Sequence, residues 1–168
     1  MDHDETVMAG PAEEHRLITA QLVPCEERLR FLPQRFGPHF LLAENTVYDA
    51  MRRLGASYTG GFWEFYLLSN GGAFMAPTGA SAYHVECEGN GYEGWLTAKA
   101  TGMAVTAMAL NRMSFMRGGA RYADLFYRLR DFISQQAEAR QLLALLECRP
   151  TASGGKAAAT ISKGEHHV

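Results

Sequence analysis

Apolar positions change their spacing repeatedly along this chain, and each change predicts a different element. From Leu22 onward Pro24 and the acidic pair Glu26-Glu27 suit a short helical turn, which Pro33 is expected to end. A second helix follows, with Pro38 in its first turn and Phe40, Val47, Tyr48, Met51 and Leu54 at helical spacing. Arg52 and Arg53 fall in its last turn, at the negative end of the dipole, and Gly55 is the expected C-cap. Between residues 58 and 102 the period shortens. Residues 62–68 are nearly continuously apolar, so both faces of that strand can be covered. Residues 73–76 form a second strand, stopped by Pro77. Residues 82–88 alternate, with Tyr83, Val85 and Cys87 on one face and His84, Glu86 and Glu88 on the other. Residues 92–96 form a fourth strand. Ser69-Asn70-Gly71-Gly72 and Gly89-Asn90-Gly91 supply the turns, and the short links favour a meander.

The period lengthens again over residues 98–116. This stretch is Ala- and Met-rich and apolar nearly all round, as in a central buried helix. Gly118-Gly119 ends it. Tyr122, Leu125, Phe126, Leu129, Phe132 and Ile133 mark one amphipathic stripe, which breaks near Gln135-Gln136 and resumes through Leu142, Leu143, Leu145 and Leu146. The fold class is therefore α+β: a roughly four-stranded antiparallel meander with helices before and after it, packed mainly on one face. Residues 1–19 are polar and acidic and predict a mobile lead-in. Residues 20–149 form one domain. Residues 150–168, which include His166 and His167, predict a flexible tail with too few large apolar groups to offset ordering.

Composition narrows the function. The 168 residues are 47% hydrophobic and 20% charged, with a formal net charge of −2. A nonspecific nucleic-acid binder is usually strongly basic. A mimic of DNA needs a dense acidic excess, one charge about every 1.7 Å of duplex axis. Neither excess is present. No apolar run reaches the roughly 18 residues that span a bilayer, and the acidic start lacks the apolar core of an export signal. Cys25, Cys87 and Cys148 read as reduced thiols, which points to the cytoplasm.

Candidate chemistry is sparse. A nucleophilic cysteine needs a histidine partner, and the alternation places Cys87 in the core. His39 opens a helix, where a positive charge is disfavoured. His84 and Glu86 share a polar strand face, where such a pair can bind a metal or move a proton. Zinc sites take three or four protein ligands, however, and a solvated face explains two. Asp49, Glu64 and Glu93 are the other candidate carboxylates. Met103, Met108, Met113 and Met116 form either a binding groove or core. The glycine pairs match no phosphate-binding fingerprint. No catalytic residue, metal or cofactor is assigned.

Taken in order, certain segments carry a specific pattern: Leu22-Val23-Pro24, Phe31-Leu32-Pro33, Phe36-Gly37, His39-Phe40, Val47-Tyr48-Asp49, Tyr58, Gly60-Gly61, Trp63, Phe65-Tyr66, Leu68-Ser69-Asn70-Gly71-Gly72, Met75-Ala76-Pro77, Gly89-Asn90-Gly91 and Gly94. Between residues 20 and 146 the chain resembles the ArdB/KlcA family of antirestriction proteins. It departs in its longer lead-in, in the 117–121 link and after Pro150. The resemblance implies a small α/β protein of plasmids and other mobile elements. Such a protein relieves restriction by type I restriction–modification enzymes while sparing modification, through protein contact rather than DNA mimicry. It brings no catalytic residues. The expected partner is the type I enzyme complex or an associated host protein, with no small-molecule substrate, strong nucleic-acid binding or membrane.

For the partner surface, Trp63, Tyr66, Asn70 and Asn90 are the candidates, as exposed aromatics and turn tips of the sheet. The alternative for the two aromatics is core. Three rival functions stand beside this reading. The chain is a DNA-binding accessory protein using Arg28, Arg30, Arg35, Arg52 and Arg53, a small hydrolase using His84 and Glu86, or an adaptor that binds a host factor.

Overall fold

The computed structural model describes residues 16–147. Cys148, the expected tail with His166 and His167, and the first fifteen residues lie outside them. Strand β1 (Ala20–Leu22) leads through a 3₁₀ turn into helices α1 (Arg28–Phe36) and α2 (Phe40–Leu54). Strands β2 (Trp63–Leu68), β3 (Ala73–Pro77), β4 (Ala82–Cys87) and β5 (Tyr92–Thr97) follow, and helices α3 (Ala98–Ser114), α4 (Ala120–Ser134) and α5 (Ala139–Leu146) complete the fold. The class is α+β, and the four expected strands all form. A strand that the spacing does not predict is added: β1 pairs antiparallel with β2, Ala20 opposite Leu68. It is short and exposed throughout, so it carries no alternation to read. Just before it, the Ile18 N–H donates to Gln135 Oε1 at 2.8 Å and the Thr19 N–H to Ser69 Oγ at 3.0 Å.

The single four-stranded meander is not what forms. The strands divide into a three-stranded sheet, β1-β2-β3, and a two-stranded one, β4-β5. The reason lies at the outer edge of β3, where α3 takes the place of a strand. The Met75 N–H donates to the Thr106 hydroxyl at 3.1 Å, and that hydroxyl lies 3.4 Å from the Met75 carbonyl oxygen. Thr106 is fully buried. Gly102 permits the approach, since a Cβ there would sit 2.3 Å from the Met75 carbonyl oxygen and 2.5 Å from Ala76 Cα. With the middle of this edge held by a side chain of α3, a fourth strand cannot pair there. β4 instead takes β5 on one edge, and its Val85 forms an isolated bridge with Gly55. Gly55 caps α2 by donating to the Met51 carbonyl at 2.9 Å, in an extended rather than a left-handed conformation.

Pro33 does not end its helix but sits inside α1. The bond that it cannot make would reach the carbonyl of Leu29, a residue whose side chain stands 90% exposed, so water can take that carbonyl. Phe31, Leu32 and Phe36, all buried, hold the helix on both sides of the proline.

The aromatic side chains of the first sheet pack on both faces, as the apolar run of β2 predicts. Phe65 stacks on Phe31 of α1 with ring centroids 5.7 Å apart, and Trp63 meets Tyr48 of α2 at 5.1 Å. Across β2 and β3, Tyr66 stacks on its pairing partner Phe74 at 4.7 Å, and Phe74 stacks on Phe132 of α4 at 5.9 Å. α3 is buried nearly all round, its small side chains Ala100, Ala104 and Ala107 wholly so. Its first turn is capped by Thr97, whose hydroxyl accepts from the Ala100 N–H at 3.2 Å. The Glu138 carboxylate in turn accepts from the Thr97 N–H at 2.9 Å and from its hydroxyl at 2.6 Å. A carboxylate beside a helix N-terminus is favoured by the peptide dipoles.

Candidate functional site

Of the four residues expected at the partner surface, the two aromatics are core. Trp63 is 6% exposed and Tyr66 4%. The Trp63 indole N–H donates to the Tyr58 hydroxyl at 2.7 Å, and the Tyr66 hydroxyl donates to Glu64 Oε2 at 2.6 Å. Burial, and then the bond to Glu64, raise the Tyr66 phenol well above the ordinary tyrosine range. The premise that these are exposed anchors is thus corrected. Both faces of β2 are covered, and each polar tip has an internal partner.

Asn70 and Asn90 are turn tips, but their amides point back into the fold. Asn70 Nδ2 donates to the Arg128 carbonyl of α4 at 2.8 Å, while its Oδ1 accepts from the Gly72 N–H at 3.0 Å. The Arg128 guanidinium closes the loop by donating to the Asn70 carbonyl and, through Nε, to Asp124 at 2.8 Å. Gly71 is in the left-handed region at φ 83°, and a Cβ there would lie 2.7 Å from Arg128 Nη1. Asn90 repeats the device on the second hairpin. Its Nδ2 donates to the Ala144 carbonyl at 2.9 Å and its Oδ1 accepts from the Tyr92 N–H at 2.9 Å. Ala144 lies in the last turn of α5, where carbonyls lack helical partners. Each asparagine therefore staples a hairpin tip to a C-terminal helix.

The arginines proposed for DNA have varied surroundings. Arg28 lies over the Phe65 ring at 5.7 Å, Arg52 pairs with Asp49, and Arg35, Arg52 and Arg53 line three different depressions. Cys25 and His39 are exposed, while Cys87, Met103 and Met113 are buried.

Two surface features remain. The first is a groove of about 410 Å³ between α2, α3 and the end of β4. Ala50, Leu54, Met108 and Ala109 contribute its apolar lining, and Arg53, Arg112, Glu86 and Glu88 are its charged groups. Thr46 and Arg112 also border an adjoining depression of about 330 Å³ that reaches Leu42 and Met116, which are 44% and 38% exposed. Of the four methionines, Met103 and Met113 are thus core, and Met108 and Met116 belong to the surface.

The second feature is the outer face of β4-β5. Pairing sets His84 opposite Trp95 and Glu86 opposite Glu93. His84 Nδ1 lies 3.3 Å from Glu86 Oε1 and its Nε2 lies 3.3 Å from Glu93 Oε1. The Trp95 ring, 68% exposed, packs at 5.3 Å from the imidazole. Glu93 stands apart from His84 in sequence, and only the hairpin register brings them together. Counting outward from the Gly89-Asn90-Gly91 turn, with Cys87 opposite Tyr92, was the available signal.

The architecture is shared with known proteins. A family model described as antirestriction protein matches residues 56–147, which include both hairpins and the three C-terminal helices. The chain belongs to the antirestriction protein family. Antirestriction protein KlcA of Escherichia coli is 41% identical over 137 residues, a match that covers 77% of this chain and 94% of that protein. A second Escherichia coli KlcA is 36% identical over 135 residues and is covered to 95%. A solved structure from work on the KlcA and ArdB proteins superimposes with a TM-score of 0.73 at 36% identity, covering 77% of this chain and 95% of that one. That work describes a novel fold and antirestriction activity against type I DNA restriction systems in vivo but not in vitro. Within this antirestriction protein, the α2 side of the groove precedes the segment that the family model matches. No helix of the described residues is long and apolar enough to cross a membrane.

Proposed function

We propose that this protein relieves restriction by type I restriction–modification enzymes, sparing modification, and so protects incoming mobile DNA. The observation that carries the reading is likeness over nearly the whole length of KlcA relatives, joined to the fold of a structure with that activity in vivo. The mode is protein contact without catalysis. A formal net charge of −2 is far too little for a phosphate mimic, and the cationic side chains are dispersed. Activity of the neighbour in vivo but not in vitro favours a contact that needs a cellular protein besides the purified enzyme. This supports the host-factor form of the reading over simple occupation of the restriction enzyme.

The contact surface of this reading is the groove between α2 and α3. Its partner is an amphipathic helix of that protein: apolar side chains over Leu54, Met108 and Ala109, acidic ones toward Arg53 and Arg112, basic ones toward Glu86 and Glu88. The experiment is plating of unmodified phage on a host with an active type I system, with and without the protein. Plating is expected to rise, and Arg112→Glu, which reverses one charge of the groove, is expected to abolish the rise while the protein stays folded. No rise with the unaltered protein refutes the function; an undiminished rise with Arg112→Glu refutes the groove alone.

A further inference from the structure

The outer face of the second hairpin, of which the antirestriction reading uses only Glu86 at the edge of the groove, gathers three metal-ligating side chains on two strands. His84, Glu86 and Glu93 each offer one donor atom, and these atoms all lie within 4.8 Å of one another. We propose that they form a binding site for a divalent transition-metal ion, held by one imidazole nitrogen and two carboxylate oxygens, with water completing the shell.

The chemistry of the three donors carries the proposal. Glu86 and Glu93 are direct cross-strand partners, and like charges in that position repel. The imidazole between them faces one carboxylate with each nitrogen, both at 3.3 Å. One ring nitrogen and two carboxylate oxygens lie close together, and a cation among them relieves the repulsion between the carboxylates. Among the described residues no arginine or lysine does so. Arg53 and Arg112, which line the groove that Glu86 also borders, make no ion pair with it. The ring is held in place by Trp95 and is only 26% exposed, whereas the carboxylates are 55% and 70% exposed and open to an arriving ion. An imidazole among the donors favours zinc and other nitrogen-binding transition metals over magnesium or calcium, which prefer oxygen alone. The ion would also tie β4 to β5.

The test is calorimetric titration of zinc chloride at neutral pH into the full chain carrying His166→Ala and His167→Ala, so that the C-terminal pair contributes nothing. The expected result is one zinc per chain. His84→Ala should weaken it more than the roughly 10–100-fold that outer-shell changes cost, and Glu93→Gln should weaken it as well. Cobalt should quench Trp95 fluorescence in the same chain, and the quenching should vanish in Trp95→Phe, whose remaining tryptophan is the buried Trp63. Glu93 and Trp95 are exposed and His84 is half-buried, and far-ultraviolet circular dichroism checks that each variant folds. No zinc uptake up to about 1 mM, a negligible affinity for a built site, overturns the proposal. So does uptake that His84→Ala leaves unchanged. Loss with His84→Ala but not with Glu93→Gln overturns the three-donor assignment.

Discussion

Replacing Thr106 with valine keeps the shape of the side chain and removes one oxygen. That oxygen meets the outer edge of β3, accepting from the Met75 N–H at 3.1 Å and lying 3.4 Å from the Met75 carbonyl oxygen. A buried polar group left without a partner costs about 1–3 kcal/mol. The N–H, with one proton and a good bond, belongs near the middle of that range. The carbonyl, with a second lone pair and a long bond, belongs at its lower end. Valine returns about 0.8 kcal/mol by burying a methyl group where a hydroxyl stood. The net loss is about 2 kcal/mol, or roughly 6–10 °C in melting temperature for a domain of this size. Thr106→Ser supplies the control. It keeps the hydroxyl, loses only the methyl, and should cost about 1 kcal/mol. Urea unfolding followed by circular dichroism gives both values, provided the slope stays constant. The expected order is wild type, serine, valine. A valine variant within about 0.5 kcal/mol of wild type, the usual scatter of neutral substitutions, or one more stable than serine, would falsify the account of why the sheet stops at β3.

Two further predictions concern the hairpin tips and alkaline pH. Asn70→Ala and Asn90→Ala should each cost about 1–2 kcal/mol in urea unfolding, because each removes an amide that ties a turn to a helix. The two losses should add, since the tips lie on different hairpins. Protection in the plating assay should persist at permissive temperature; a variant that unfolds normally yet fails to protect would return these tips to the partner surface. Stability should also fall as pH rises above 10. Burial raises Tyr48, Tyr66, Tyr83, Tyr92 and Tyr122 above the ordinary value of 10.0, most strongly Tyr48 and Tyr66. Above that value the unfolded chain releases protons that the folded one keeps, so the tyrosine contribution is fully present below pH 10 and is lost above it. Absorbance at 295 nm, the phenolate band, combined with urea unfolding at successive pH values checks this, and stability that rises from pH 9 to 11 would contradict it.

Elements that bury a stripe of their own were legible in the sequence, and relations between elements were not. The alternation of Tyr83, Val85 and Cys87 against His84, Glu86 and Glu88 is local, and β4 follows it residue by residue. The break at Gln135-Gln136 is local too, and α4 and α5 part there. Strand pairing is not local. Nothing near Ala73 or Ala82 announces that Thr106, some thirty residues on, occupies the edge that the meander needed. Turn chemistry misled in the same way. Asn70 and Asn90 have the composition of exposed tips, and they do turn the chain, but the same amides reach helices more than fifty residues away. The exposed aromatic of the sheet is Trp95 rather than Trp63, because β2 lies between two layers of helices and β5 has one face open to solvent. The register that exposes Trp95 also decides the chemistry. It turns an unremarkable His84–Glu86 pair into three convergent donors by adding Glu93 from the opposite strand. A pair two residues apart on one strand is common on any solvated sheet. A third donor from the partner strand, set directly across from Glu86 with no arginine or lysine between the two carboxylates, makes the case for a cation on this face.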